Sequence, residues 1–168
     1  MTIKHYFILL ITALSFTACG SYSFTGAKVN SNTKTFQVNY FQNNAALIEP
    51  GLDLDFTNAL TDLLINQTSL DNVKSNGDLV YEGEIVEYRI SPTTATADDT
   101  AAQNRLTISV NVRFYNKQDE EAEFEKRFSF FYDYDGTSQL IGTIKTTAIE
   151  EIFDQITQDI FNASLAQW

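Results

Sequence analysis

From Leu106 to Phe114 the chain alternates without a break. Leu106, Ile108, Val110, Val112 and Phe114 are apolar, and Thr107, Ser109, Asn111 and Arg113 between them are polar. A period of two puts every apolar side chain on one face of a strand, whereas a helix would scatter them around its circumference. After a charged turn at 116–121, Phe124, Phe128, Phe130, Tyr132 and Tyr134 repeat the pattern. Two adjacent one-faced strands predict an antiparallel sheet with one covered and one open face.

The covering layer has to come from elsewhere in the chain. Leu52, Phe56, Ala59, Leu60, Leu63 and Leu64 recur at spacings of three and four. They predict an amphipathic helix over about 51–68, opened by Pro50 and with Asp53 and Asp55 in its first turn. Ile141, Ile144, Ala148, Ile152, Ile156 and Ile160 predict a second helix over about 138–163, nearly 40 Å long if Gly142 does not break it, with Asp135, Thr137 or Ser138 as its cap. Thr35–Phe41 reads as a strand with Phe36, Val38 and Tyr40 on its apolar side. Residues 79–90 read as another, and its apolar parity switches from Leu79, Tyr81 and Ile85 to Val86, Tyr88 and Ile90. The switch predicts a bulge at Gly83. Residues 91–103 are small and polar and read as a loop. The order β-α-β-β-β-α gives an α+β fold: a two-layer sandwich of a four-stranded, mainly antiparallel sheet with two helices on one face.

The amino end has a different logic. Lys4 and His5 precede a nine-residue apolar run, Tyr6–Leu14, and small residues lead up to Cys19. The run is too short to span a bilayer, which takes roughly 20 residues. Basic, apolar and small-residue regions in that order mark a secretory signal. A cysteine directly after them is the acceptor of a lipoprotein anchor. Residues 1–18 are therefore expected to be removed, 19–33 to form a lipidated tether and 34–168 the folded domain. The alternative is an ordinary secretory signal with an incidental cysteine. Gly20–Phe24 holds no acid, which favours the periplasmic side of the outer membrane.

Cleavage after residue 18 leaves ten basic and 22 acidic residues, a net charge of −12. So acidic a chain has little with which to neutralise phosphates, so nucleic acid is not an expected partner. The single histidine leaves with the signal, and the single cysteine is Cys19. Ser-His and Cys-His catalysis, zinc sites built from His and Cys, and a disulfide within the chain are thereby excluded, and no cofactor is implied. Asp133-Tyr134-Asp135-Gly136 opens like a calcium loop, but Ile144 stands at loop position twelve, where a bidentate acid is needed. Glu120-Glu121 and Asp98-Asp99 read as solvated charge. Five of the ten mature basic residues fall between 105 and 127. Arg105, Arg113 and Arg127 have outward parity, so they either contact an anionic phosphosugar through bidentate bonds or pair across strands with Glu123 and Glu125. Thr100, in Asp99-Thr100-Ala101, is a candidate O-glycan acceptor.

With these pieces placed, the chain resembles the LptE family of lipopolysaccharide-assembly lipoproteins, in its Bacteroides/Flavobacteria branch. The stretches that carry the likeness are Cys19–Gly26, Lys34–Val38, Gly77-Asp78-Leu79, Asn104–Ile108 and Asp159–Asn162 closing on Trp168. The resemblance implies a non-enzymatic plug inside an LptD-type outer-membrane β-barrel, with lipopolysaccharide as a candidate ligand and the membrane reached through the lipid. Two other readings stand beside it. One is a stand-alone lipid-anchored module that binds an anionic glycan or lipid on the open sheet face. The other is a hydrolase using carboxylates alone, which would need two buried acids. Replacing Cys19 with serine is expected to abolish incorporation of radiolabelled palmitate and to move the protein from the membrane pellet to the soluble fraction.

Overall fold

The computed structural model describes residues 30–93 and 103–166. Cys19, Thr100 and Trp168 lie outside the described residues. The elements in order are β1 (Thr35–Val38), β2 (Gln42–Asn43), α1 (Leu52–Gln67), β3 (Asp71–Asn72), β4 (Leu79–Thr93), β5 (Gln103–Asn116), a 3-10 turn (Glu120–Ala122), β6 (Phe124–Asp135) and α2 (Gly142–Leu165). They form one α+β unit. The sheet has six strands, not four, in the order β3-β1-β4-β5-β6, with β2 also on β4. The long β4, β5 and β6 pair antiparallel, and the short β1, β2 and β3 add parallel pairs at one side.

The alternation of residues 106–114 translates directly into burial. Leu106, Ile108, Val110, Val112 and Phe114 are all fully buried. They meet Leu52, Phe56, Leu60 and Leu64 of α1 and Ile152, Ile156 and Ile160 of α2 in a single core. The Phe56 ring stands edge-on to Phe41 and to Phe153, each with centroids 5.1 Å apart, so one aromatic joins the β1–β2 segment to both helices. At the other end Tyr81, Phe114 and Phe124 follow one another at 4.9 and 5.3 Å. The buried Tyr81 hydroxyl finds Ser164 of α2 at 2.9 Å, which meets the hydrogen-bonding need of a phenol taken out of water.

Several local expectations are corrected, each for a traceable reason. The first strand does not run to Phe41 on one parity. Phe36 pairs with Leu79 while Gln42 pairs with Glu84, so the β1–β2 segment carries one residue more than β4 opposite it. The extra residue turns Tyr40 outward, 53% exposed, and buries Phe41, whose N–H donates to Thr57 Oγ1 of α1. The bulge in β4 falls at Val86, between Ile85 and Glu87, and not at Gly83. Gly83 answers a different demand: a Cβ there would lie 2.0 Å from the Asn111 carbonyl oxygen and 2.8 Å from the Phe41 ring. Residues 91–93 and 103, within the expected loop, are strand, and 91–93 pair with 103–105. Pro50 lies before the first helix, which begins at Leu52. The second helix starts at Gly142, with φ +54 at that glycine and no side-chain cap, and runs for 24 residues, about 36 Å. Asp135 instead accepts from the Thr137 N–H in the preceding turn. Ile141, expected on the apolar stripe, is 64% exposed because it precedes the helix.

Among the described residues no helix is long and apolar enough to cross a membrane. The amino end of the domain is clasped to the sheet. Asp78 Oδ2 accepts from the N–H of Lys34 at 2.8 Å and from the N–H and hydroxyl of Thr35, both at 3.0 Å. These bonds hold its carboxyl below the usual range. Gly83→Ala is expected to destabilise the domain by about 3 kcal/mol, since the added methyl meets backbone and not a movable side-chain tip. Urea unfolding followed by far-UV circular dichroism checks this.

Candidate functional site

The sheet face turned away from the helices gathers the arginines singled out above. Arg105 and Arg113 on β5 and Arg127 on β6 all point to it, as their parity predicts, and each meets a carboxylate. Arg105 grips Asp133 with two parallel bonds, Nε to Oδ1 at 2.7 Å and Nη2 to Oδ2 at 2.8 Å. Its guanidinium carbon stands 3.6 Å from the centroid of the Phe131 ring. Arg113 donates to Glu82 at 3.1 Å and to Glu84 at 3.4 Å. Arg127 donates to Glu87 at 2.6 Å. The acids come from β4 and β6, not from Glu123 and Glu125. Glu123 accepts from the Asn116 N–H in the turn.

Glu87 is the hub of this face. The bulge at Val86 re-aims it outward, where it also accepts from Arg89 at 2.7 Å and from Ser109 at 2.8 Å. Ser109 Oγ lies 2.9 Å from Ser129 Oγ as well. Ser109 is fully buried although its parity is outward, because the ion-paired side chains lie over it. The three arginines are legible in the sequence, but not Glu82, Glu84, Glu87 and Asp133 as their partners, nor Ser109 as a partner of Glu87. Their outward parity was legible, but the pairing of β4 with β5 that brings them alongside was not.

The electrostatics follow from the contacts. Arg113 holds the Glu82 carboxyl below the usual range, Arg89 does so for Glu87, and Arg105 for Asp133. Partly exposed ion pairs contribute little singly, about 0–1 kcal/mol, and a bidentate pair packed on an aromatic ring stands at the upper end. Chemically, the face is hydrophilic and compensated: an anion reaching any of the three arginines must compete with a carboxylate already in place.

The helix side differs. A cleft of about 510 Å³ opens between α1 and α2, with Asp55, Asp62, Glu150 and Asp154 around it. Its one lysine, Lys145, is held by Glu49 at 2.8 Å. No group of three acidic, histidine or cysteine side chains among the described residues could hold a metal ion. Asp133 of the calcium-like stretch is engaged by Arg105. Among the described residues the buried polar side chains are Thr33, Ser109, Thr157 and Ser164, and no Asp or Glu is among them.

Fold and faces together define a class: a two-layer α+β domain with an ion-paired sheet face and an acid-lined helix face. The chain matches the family model described as LptE, lipopolysaccharide-assembly, over residues 33–164. It belongs to the LptE family. A comparison with curated protein sequences finds no match. Among solved structures, the hypothetical protein CT253 from Chlamydia trachomatis superposes with a TM-score of 0.55 at 10% identity, covering 80% of this chain and 99% of that one, and so shares the fold. PelC from Paraburkholderia phytofirmans (TM-score 0.49, 10% identity, 83% and 95% covered) and rare lipoprotein B from Shewanella oneidensis (0.43, 12%, 76% and 89%) are looser likenesses.

The lowered carboxylates give a signed pH dependence. Their folded pKa values lie below the unfolded ones, so their stabilisation is present above about pH 5 and is lost as the pH falls through the carboxylate range near 4. The urea midpoint should be flat from pH 7 to 5 and drop below about pH 4.5. Glu87→Gln should lower the midpoint at pH 7 and reduce the acid-side slope, and the two proteins should converge near pH 2.5.

Proposed function

We propose that this chain is the lipid-anchored LptE subunit of the lipopolysaccharide-assembly machinery. In this reading it is held by Cys19 at the periplasmic side of the outer membrane and seated as a plug within an LptD-type β-barrel. The observation that carries the reading is the family match, which spans nearly all of the described domain. The geometry adds support of a physical kind. The lumen of a wide outer-membrane barrel is polar, so a face laid against its wall is favoured when it is hydrophilic with its charges paired. The sheet face meets that requirement, because Arg105, Arg113 and Arg127 are each neutralised within the domain.

The role is non-enzymatic. Without histidine or a free thiol in the mature chain, and with no buried carboxylate among the described residues, the work left to such a domain is binding and templating. Direct capture of lipopolysaccharide on the three arginines would have to open the ion pairs first. For that reason the plug role is placed ahead of a stand-alone anion-binding module.

Affinity purification of the tagged full-length protein from detergent-solubilised outer membranes is expected to recover a large heat-modifiable β-barrel at near 1:1 stoichiometry. Depletion should leave lipopolysaccharide in the periplasm. Recovery of a monomer that binds a soluble anionic glycan and no barrel would replace this reading with the binding-module one.

A further inference from the structure

We propose that the free edge of β6, with the flank of α2 above it, is a docking groove for an extended, basic segment of a partner protein. The two sides of the sheet are finished differently. On one side the last strand is β3, only two residues long, Asp71–Asn72, both exposed. Short, polar strands of that kind blunt an edge. On the other side β6 is the last strand, runs for twelve residues and pairs only with β5 among the described residues. Its middle, Phe128-Ser129-Phe130-Phe131-Tyr132, carries no charge and no proline. A bare edge of this length offers a row of backbone donors and acceptors, and an added strand satisfies them.

The chemistry of the occupant is set by what stands beside the edge. Phe130 forms a shallow groove of about 600 Å³ with Leu63 of α1 and with Glu151, Asp154, Gln155 and Gln158 of α2. No lysine or arginine lines it. An incoming strand would place alternate side chains against Phe130 and beneath Glu151 and Asp154. Basic residues at every second position, their aliphatic stems over Phe130 and their charges toward Glu151 and Asp154, therefore fit, and acidic ones do not. A second copy of this chain fits less well, because it would bring the same acidic flank and a like net charge of −11 or more against the first. The inference does not depend on the barrel reading, since it concerns how a partner strand is held and not which protein supplies it.

Hydrogen–deuterium exchange of the full mature protein in detergent micelles tests it, with three ten-residue probe peptides. One alternates valine and lysine, one alternates valine and glutamate, and one is the lysine peptide N-methylated at every residue. The lysine peptide is expected to slow exchange over residues 124–135 by about tenfold, saturably. The other two should leave it unchanged. The double variant Glu151→Lys, Asp154→Lys lies on the exposed helix flank and should weaken the lysine peptide at least about fivefold with an unaltered thermal midpoint. Should that variant unfold, the three peptides on the unaltered protein still decide. No protection at millimolar lysine peptide would overturn the proposal. So would equal protection by the N-methylated or glutamate peptide. Concentration-dependent protection of residues 124–135 without any peptide would do the same, by showing a second copy on the edge.

Discussion

The pairing of β4 with β5 is the constraint on which the rest of the structure depends. Each strand is longer than any other in the sheet, and between them they pair from Leu79–Asn116 to Thr93–Gln103. Everything else is added to that ribbon. β6 extends it on one side and the short parallel strands on the other, and both helices lie on the face where β5 buries its alternate residues. The ribbon is also where the chain tolerates least change. At Gly83 the neighbouring carbonyl and the Phe41 ring occupy the space a side chain would need. One bulge three residues later then turns Glu87 toward the arginines. The core below and the charge lattice above are thus two readings of a single register.

How much of this is legible in the amino-acid sequence depends on the range of the interaction involved. The burial of β5, the helix over 52–67 and the outward parity of Arg105, Arg113 and Arg127 follow from periodicity, a property of neighbours in the chain. The two-residue strands β2 and β3 have no period to read. Tyr40 and Phe41 are adjacent aromatics, and only the extra residue opposite β4 decides which one is buried. Gly83 attracted the expectation of a bulge because glycine often marks one, but its reason is a contact with Asn111 and Phe41 from distant parts of the chain. The partners of the arginines were unreadable for the same cause: a carboxylate on β4 finds a guanidinium on β5 only once the register is known. The family blocks around Lys34 and Asp78, far apart in sequence, meet in one set of hydrogen bonds.

Charge is segregated between the two faces. On the sheet side acids and arginines stand in pairs. α1 holds three acids and no base, and α2 holds four acids and one lysine. Half of the mature chain's net charge of −12 therefore resides on the two helices. Non-local repulsion between like charges on α1 and α2 is tolerated because the two helices are fastened from below by Phe56 and Phe153, with the Gln67–Gln158 hydrogen bond at 2.9 Å joining them as well.

The Asp78 clasp has a mechanical meaning. β1 follows directly on the amino-terminal segment and lies parallel to β4, so a chain tethered by its amino end transmits any pull into that short strand first. One carboxylate oxygen, taking three hydrogen bonds from Lys34 and Thr35, spreads the load across the sheet at its entry point. In the proposed lipid-anchored chain the leash would end at these bonds, just ahead of Phe36 and the core beneath it.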